Sequence, residues 1–480
     1  MGVKRNNLQL ILTLIIFGSI YSLISIVNHY IFRTSALDLG LYTNALYDYS
    51  HFQWNDSLTF KSVPENLLAD HFDLYLILFS PFSMIFGSYT LIIIQIIAIL
   101  FGGLGVYYFF KSIQSRLALH AMIYFLSFFA IYSALSFDYH SNVVAAMLVP
   151  WFILSIKREN YSVAFVFFML ILIAKENMAL WTMFICFALM FDYYKNKKSL
   201  KFLFVLIGLS LLYYISIIHF VMPALSNNGI YPHFHYSSLG SNSYEAVKYL
   251  IAHPIDSIGL LFKNHTGDEF GNFVKLEFHL IVLFSGGFLL LLKPNYLIML
   301  IPVYFQKLFH DYTSMWSIAD HYSIELTPVI AIGCFLVISR FTHKKMRNMW
   351  SYILIVLAII STIRVMDNTV YYTNKANIRF YKSYHYKKPY DVKIMHEFLR
   401  GIPSDAPVSV QSSFLPHVAL RDKAYQFPLI HDAEYIILSP NESTYPLDEQ
   451  SYNIKVKEYK DSLEWDCIED NNDIVILKRK

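Results

Sequence analysis

The stretch that decides the fold class is residues 89–110, which read YTLIIIQIIAILFGGLGVYYFF and carry no charged side chain. As an α-helix, at about 1.5 Å per residue, this stretch reaches about 33 Å. The hydrocarbon core of a bilayer is about 30 Å thick. The sequence here therefore predicts a helix that crosses a membrane.

Similar apolar blocks recur as far as residue 366 and lower the charged fraction of the whole chain. Of 480 residues, 56% are hydrophobic and 15% charged, whereas a soluble domain has about 25% charged residues. The mean hydropathy is +0.42. We therefore predict a polytopic α-helical membrane protein with about eleven transmembrane helices. The predicted spans are residues 8–27, 89–110, 117–136, 141–156, 161–174, 177–192, 199–222, 276–292, 295–308, 323–340 and 349–366.

Basic residues in the short loops predict the orientation, because cytoplasmic loops carry an excess of lysine and arginine. We place the N-terminus, with Lys4 and Arg5, in the cytoplasm. The outer segments up to residue 322 are longer than the inner loops, yet they then hold only seven basic residues, fewer than the inner loops do. We expect a multi-pass protein of the cytoplasmic (inner) membrane with an extracytoplasmic C-terminal domain. The inner loops hold Lys111, Arg116, Lys157, Arg158, Lys195, Lys197, Lys198, Lys201, Lys293, Arg340, Lys344, Lys345 and Arg347.

Residues 72–86 are also apolar, and they test this orientation. Counting them as a span would move Lys111 and the basic cluster at 195–201 to the outside. A helix of this length reaches only about 22 Å, and Pro81 would interrupt it. We predict that the segment is an interfacial or re-entrant helix on the outer face.

The chain divides into three predicted parts. Residues 1–366 form a transmembrane domain with large outer loops at 28–88 and 223–275, and residues 367–390 form an interfacial linker. Residues 391–480 form a small α/β domain without a Gly-rich phosphate loop, which we expect to be a structural or substrate-gating cap. Its predicted elements are a helix at 391–400, strands at 408–410, 425–427 and 433–439, a helix at 448–460, and a hairpin over 464–478.

Carboxylates and imidazoles collect at the outer ends of the predicted spans. A charged group at membrane depth costs about 2.5–3.5 kcal/mol, so several at one level indicate a shared polar cavity that opens to the outside. The candidate site residues are Asp38, Asp70, His71, Asp138, His140, Lys175, Glu176, Asp320 and His321.

Short motifs along most of the chain resemble a family of predicted bacterial and archaeal membrane proteins, a domain of unknown function. The motifs keep their order and spacing, which makes the resemblance specific. They are Ala36-Leu37-Asp38-Leu39-Gly40-Leu41, Ala69-Asp70-His71-Phe72, Asp320-His321-Tyr322-Ser323, Ser412 with Phe414-Leu415-Pro416-His417, and Tyr425-Gln426-Phe427-Pro428.

That family is in turn similar to the GT-C superfamily of membrane glycosyltransferases. The resemblance implies a GT-C-like fold and inverting transfer of a sugar from a polyprenyl-phosphate donor. It also implies a glycan, lipid or protein acceptor in the cell envelope. It places Asp38 where these enzymes carry an essential carboxylate in the first outer loop. Asp138 and His140 occupy the place of a second acidic motif, with histidine instead of the second acid.

Inverting glycosyl transfer needs a carboxylate that takes the acceptor's proton. Asp38 is the candidate general base, and its alternative role is a helix charge on a solvated face. Asp70 and His71 are candidates for a substrate hydroxyl or a metal, whereas the plainer role of Asp70 is a helix N-cap. Asp138 and His140 are candidate ligands of a divalent cation, Mg²⁺ or Mn²⁺, with cavity hydrogen bonding or helix capping as alternatives.

The remaining candidates also have two interpretations each. Lys175 and Glu176 form either a structural ion pair or contacts to the donor phosphate (Lys175) and the acceptor sugar (Glu176). Asp320 and His321 line the substrate site or cap the next span. His233 and His235 lie in an aromatic loop and are more typical of a lid or surface than of a metal site.

Two other functional classes remain open from the sequence. A transporter or flippase of lipid-linked substrates would explain the intramembrane charges, although the sequence shows no inverted repeat. A non-catalytic membrane assembly protein would keep the fold without activity. We expect the lipid bilayer, and no nucleic acid, as a partner.

Overall fold

The computed structural model describes the backbone of residues 2–480 and the side chains of residues 7–480. The side chains of Lys4 and Arg5, on which the predicted position of the N-terminus depends, lie outside the described residues. Helices make up the part before residue 400, and a five-stranded sheet lies within residues 408–479.

The helices of the first half follow the predicted apolar blocks, with Asn160 capping one of them by accepting the N–H of Val163. One π-helical turn, Ala36–Gly40, runs directly into the helix that follows the first span. In chain order the helices are α1 (Gly2–Tyr30), α2 (Leu41–Ser50), α3 (Tyr75–Phe79), α4 (Ser83–Phe86), α5 (Thr90–Lys111), α6 (Ser115–Leu126), α7 (Phe129–Leu135), α8 (Ser141–Lys157), α9 (Tyr161–Leu172) and α10 (Met178–Asp192).

The second half adds long apolar helices and several short amphipathic ones. Asn196 caps the first of them through the N–H of Ser199. In chain order these are α11 (Lys197–Ser216), α12 (Met222–Leu225), α13 (Ser243–Ala252), α14 (Pro254–Leu260), α15 (Val274–Phe284), α16 (Pro294–Leu308), α17 (Thr313–Trp316), α18 (Leu326–Ser339), α19 (Lys344–Asp367) and α20 (Lys375–Ile378).

Among the described residues, four helical runs are long and apolar enough to cross a membrane, and the pair α6 and α7, bent by 44°, makes a fifth. Each of the eleven predicted blocks contains a helix, but several of these helices are short. The count of eleven spans therefore stays a prediction. The four runs are Asn7–Tyr30, Tyr75–Lys111, Lys197–Leu225 and Lys344–Asp367.

The predicted interfacial segment at 72–86 is a chain of short helical turns that continues into α5. Pro81 lies in a 3₁₀ turn between α3 and α4, so it does interrupt the α-helix. The whole run Tyr75–Lys111 has 37 residues and would be about 55 Å long, well beyond the thickness of the bilayer core. The position of residues 72–86 relative to the membrane stays a prediction.

Contacts between loops divide the helical domain into two ends, as the predicted topology requires. At one end, Lys293 pairs with Asp192, and Asn196 Nδ2 donates to Glu159 Oε1 at 3.0 Å. All of these loops were placed together on the inner side. At the other end, the loops placed outside contact one another around the site described below.

The C-terminal part forms the α/β domain that the sequence predicts. The strands are β1 (Val408–Val410), β2 (Ala424–Gln426), β3 (Tyr435–Leu438), β4 (Trp465–Asp470) and β5 (Val475–Arg479), in the order β2-β1-β3-β5-β4. β1 pairs in parallel with β2 and β3, and β5 pairs antiparallel with β3 and β4. The two predicted helices are confirmed as α21 (Val392–Arg400) and α23 (Glu449–Asp461), and the predicted hairpin is the β4–β5 pair. The short helix α22 (Leu415–Val418) was not predicted.

The sheet domain packs on the first large loop. The N–H of Gln426, in β2, donates to the carbonyl of Thr59 at 2.7 Å, and the N–H of Ala36 donates to Ser412 Oγ at 3.1 Å. Asn44 Nδ2, on α2, donates to the carbonyls of Ala419 and Arg421 at 3.2 and 2.8 Å. These bonds fix the helix that follows Asp38 against the last domain of the chain.

Candidate active site

A cavity of about 420 Å³ lies at the end of the helical domain where the large loops meet. Its walls come from segments that are far apart in sequence: both ends of the first loop, the turns before α8 and α10, the loop after α12 with α13, the end of α16, and the turn before α18. Six of the nine predicted site residues line it: Asp38, His71, His140, Lys175, Glu176 and His321. The prediction that polar groups from separate spans share one cavity agrees with this arrangement.

One wall is formed by the Asp38 cluster, which consists of Asp38, His140 and His321. Asp38 Oδ1 lies 3.4 Å from His140 Nε2, and the rings of His140 and His321 stack with centroids 3.4 Å apart. The side chain of Asp38 is 21% exposed and that of His140 is 7% exposed. The carboxylate therefore faces the cavity, and the two imidazoles form the wall behind it.

Asp138 lies behind this wall and holds the start of the first loop. Its Oδ2 accepts the backbone N–H and the hydroxyl of Ser35, both at 2.9 Å. Burial and the nearby charge of Asp38 raise the pKa of Asp138 to about 7, although the bonds from Ser35 act in the opposite direction. Asp138 therefore positions the turn that carries Asp38.

A divalent cation was predicted at Asp138 and His140. Within the described side chains, the ligand atoms of Asp38, Asp138 and His140 do not all come within 4.8 Å of one another. One oxygen of Asp138 is also occupied by Ser35. The arrangement does not fit an ion held by these three residues, so the Mg²⁺ or Mn²⁺ site stays a prediction and no reaction step depends on it.

The facing wall is formed by His71, His233 and Glu176, which make up the Asp70 cluster together with Asp70. His233 Nε2 lies 3.4 Å from Asp70 Oδ1 and 2.7 Å from the Asp70 carbonyl oxygen. The rings of His71 and His233 stack at 4.2 Å. Burial raises the pKa of Asp70, but the charges of His71 and His233 outweigh it and hold the pKa well below its ordinary value.

The plainer role proposed for Asp70, a helix N-cap, is wrong. Asp70 follows the 3₁₀ turn Leu67–Ala69 and precedes α3 by several residues. The bond at the start of α3 comes instead from Asp73, whose Oδ1 accepts the N–H of Tyr75 at 2.9 Å. Asp70 is thus free for the cluster around His233.

Glu176 pairs with His71 instead of its neighbour Lys175, so the predicted structural ion pair within this dipeptide is wrong. Glu176 Oε1 lies 3.3 Å from His71 Nδ1, and Oε2 accepts the N–H of Phe72 at 3.2 Å. Burial raises the pKa of Glu176, but His71 and Lys175 outweigh it and lower the pKa to about 2. Lys175 is left with its ammonium group on the cavity wall.

Asp320 and His321 were predicted to act together, but the structure separates them. His321 lines the main cavity, whereas Asp320 lines a smaller cavity beside Ser133 and Asn377. Asp320 has a φ of 56°, which turns its side chain away from that of His321. Both residues precede α18 by several positions, so neither caps that helix.

Sequence reasoning missed His233, which it assigned to a lid or surface. The loop between α12 and α13 folds back so that His233 and Tyr231 reach the cavity. The Tyr-Pro-His-Phe-His-Tyr sequence at 231–236 was the one available signal, because a flexible surface loop has little need of so many aromatic rings.

The far end of the cavity is apolar. Ile218, Leu239, Leu250 and Phe305 line it, and the adjoining helices α13 and α14 expose a row of large apolar side chains. The cavity therefore runs from a histidine–carboxylate end to a hydrocarbon-like end. The exposed row consists of Tyr244, Val247, Ile251, Ile255 and Ile258.

These features define a helical membrane protein whose loops close around one histidine–carboxylate cavity. The family model described as "Predicted membrane protein (DUF2079)" matches residues 28–476. The chain belongs to that family.

Among solved structures, the chain is similar to the oligosaccharyltransferase of Archaeoglobus fulgidus, crystallised with a disulfide-tethered acceptor peptide that contains the NVT sequon. The identity is 11%, the match covers 94% of this chain and 68% of that chain, and the TM-score is 0.39. A TM-score of this size is too low to establish a common activity. No curated protein matches the chain.

Proposed function

We propose that the protein is a membrane glycosyltransferase that moves a sugar from a polyprenyl-phosphate donor to an acceptor on the extracytoplasmic side of the inner membrane. The observation that carries the proposal is the position of Asp38. Its carboxylate faces the cavity with His140 Nε2 at 3.4 Å behind it, and the motif resemblance assigns an essential carboxylate to this position.

In the proposed reaction, Asp38 accepts the proton of the acceptor hydroxyl as that oxygen attacks C1 of the sugar. The new C1–O bond forms on the face opposite the bond from C1 to the phosphate oxygen, which breaks, so the configuration at C1 inverts. His140 keeps the carboxylate aimed at the cavity. Such contacts are commonly long without substrate and shorten when it binds.

The donor's phosphate leaves with its negative charge, so the cavity must supply a cation. Lys175 lines the same cavity as Asp38, and we propose that its ammonium group contacts the phosphate. The tighter contacts of Glu176 with His71 and Phe72 leave Lys175 without competition from its neighbouring carboxylate.

The apolar end of the cavity supports a lipid substrate. A polyprenyl chain needs a continuous apolar path from the reacting phosphate to the bilayer. Leu250 and Val247 line the cavity from α13, and Val247 is also 56% exposed on the outer face of that helix. We propose that the lipid enters beside α13 with its phosphate towards Lys175.

The test is transfer from a labelled polyprenyl-phosphate sugar in proteoliposomes that contain the full chain. Asp38→Asn should reduce turnover by at least about 100-fold, with donor binding unchanged. Asp56→Asn is the matched control, because Asp56 lies exposed in the same loop and should keep full turnover.

Three outcomes would contradict the proposal. Movement of the labelled lipid across the vesicle membrane, with no new glycosidic bond, would identify a transporter or flippase. Turnover that survives Asp38→Asn would remove Asp38 from the reaction, and absence of transfer with every donor and acceptor class would favour an assembly protein.

A further inference from the structure

We propose that Asp70, His71 and His233 bind one divalent transition-metal ion of the Zn²⁺ class, and that the ion ties the loop after α12 to the first outer loop. Among side chains 7–480, these residues form the one group of three whose ligand atoms all lie within 4.8 Å of one another. The proposal does not require sugar transfer and stands apart from the proposed reaction.

The donor set has the composition of a metal site. Two imidazoles and one carboxylate are common ligands of Zn²⁺ in sites that keep a fourth position open. The rings of His71 and His233 are stacked at 4.2 Å with 18° between their planes. At this separation a nitrogen atom of each ring can reach the same cation, since the ligand atoms of the two rings and of Asp70 lie within 4.8 Å of one another.

Glu176 supplies the outer support that such sites need. Its Oε1 lies 3.3 Å from His71 Nδ1, which leaves Nε2 of that ring for an ion. A carboxylate bonded to the second ring nitrogen fixes the tautomer of a metal-binding histidine. The N–H of Phe72 holds the other oxygen of Glu176 at 3.2 Å, so this support is rigid.

The nature of the ligands selects the metal. Mg²⁺ and Ca²⁺ prefer sites built from oxygen atoms, whereas imidazole favours Zn²⁺ and its first-row neighbours. His233 Nε2 is now hydrogen-bonded to the Asp70 carbonyl oxygen at 2.7 Å. An ion bound at Nε2 needs the lone pair of that nitrogen, so the ring proton must lie on Nδ1 and the bond to the Asp70 carbonyl oxygen is lost.

The site would connect parts of the chain that are distant in sequence. Asp70 and His71 belong to the first outer loop, and His233 belongs to the loop after α12. Without the ion, the two loops are joined by the two His233–Asp70 contacts, by the stacked rings and, at Glu65, by bonds from the N–H of Asn227 at 2.8 Å and the hydroxyl of Ser226 at 3.2 Å. The remaining coordination position would face the cavity, where a water or a substrate oxygen can reach it.

The experiment uses the full chain purified in detergent, stripped with a chelator and titrated with Co²⁺ as a spectroscopic probe for Zn²⁺. One equivalent should bind, with visible absorption bands typical of a nitrogen–oxygen site. His233→Gln should weaken binding at least tenfold. His235→Gln, two residues along the same loop, is the matched control and should bind as the wild type does.

Three further measurements test the interpretation. Asp70→Asn, a smaller change, should also weaken Co²⁺ binding, and a metal-dependent rise in melting temperature should occur in wild type and His235→Gln alone. Chymotrypsin cleavage of the loop at 226–242 should slow when the metal is added. Equal Co²⁺ binding in His233→Gln and His235→Gln, or no binding by the wild type, would overturn the site.

The outcome is separable from that of the proposed reaction. Asp38→Asn should bind Co²⁺ normally even if it transfers no sugar. If the wild-type protein transfers sugar but binds no metal, the proposed metal site is wrong and the transferase proposal is unaffected.

Discussion

The Asp38 cluster and the Asp70 cluster face each other across one cavity, and both combine carboxylates with stacked histidines. They differ in how many partners each carboxylate has. Asp38 has one contact, with His140 at 3.4 Å, whereas Glu176 accepts from His71, Phe72 and Tyr231. A carboxylate with most of its lone pairs free can take a proton from a substrate, whereas one that accepts three hydrogen bonds is suited to hold structure.

Burial by itself does not set the charge of these carboxylates. Asp138 and Glu176 are both buried, yet the pKa of Asp138 is raised to about 7 and that of Glu176 is lowered to about 2. The difference comes from their neighbours, because Asp138 lies near the charge of Asp38 and Glu176 lies near His71 and Lys175. Acidic residues at similar depth can therefore have opposite protonation states.

The largest structural effect should follow a change in the Asp70 cluster. Glu176→Gln removes a buried charge that supports His71, and we expect it to destabilise the protein by about 3 kcal/mol, measured as the shift of the unfolding transition in detergent. Glu269→Gln, at an exposed position, should leave the transition unchanged. Equal shifts in both variants would show that Glu176 is no more than a surface charge.

A smaller effect, on rate instead of stability, should follow a change in the Asp38 cluster. His140→Gln loses the ring that positions Asp38, and we expect turnover to fall about 10- to 100-fold while KM and the melting temperature stay close to wild type. His253→Gln, on an exposed histidine, is the control. If His140→Gln lost as much stability as Glu176→Gln, the Asp38 cluster would be as important for structure as the Asp70 cluster, and the distinction between them would be wrong.

The smallest effect, over any one pH unit, should be the pH dependence that comes from Asp138. Its pKa is about 7 when folded and about 3.9 when unfolded, so the folded state binds more protons between these values. Stability from this group is complete below about pH 4 and is lost as the pH rises through 7, by at most about 1.4 kcal/mol per pH unit. Asp138→Asn should remove this slope while keeping an acceptor for Ser35.

The measurement is the melting temperature of wild type and Asp138→Asn at several pH values between 5 and 8. The melting temperature of Asp138→Asn should increase relative to that of the wild type as the pH rises. A constant difference between the two proteins over this range would mean that Asp138 keeps the same protonation state throughout.

Much of the fold could be predicted from local sequence. Uncharged blocks such as 89–110 marked the helices, and a short apolar run marked a buried strand of the C-terminal domain, as for β3. The prediction was weakest where helices are short, because a block such as 161–174 fixes a helix but does not show whether it crosses the membrane.

The candidate site could be predicted in part. Asp38, His140 and His321 were placed at one level of the predicted bundle, and the structure brings them into one cavity. The partnership of Asp70 with His233 could not be found, because it depends on how a long loop folds back over another. The separation of Asp320 from His321 depends on one positive φ angle that the sequence does not encode.

The hydrogen bonds of Asn44 can form only late in the synthesis of the chain. Its side-chain amide bonds to the carbonyls of Ala419 and Arg421, which the ribosome adds some 375 residues later. Helix α2, which follows the proposed base Asp38, therefore cannot form these bonds until most of the chain has been translated. During biogenesis, a nascent chain that is already inserted should stay inert until its last domain has folded against α2.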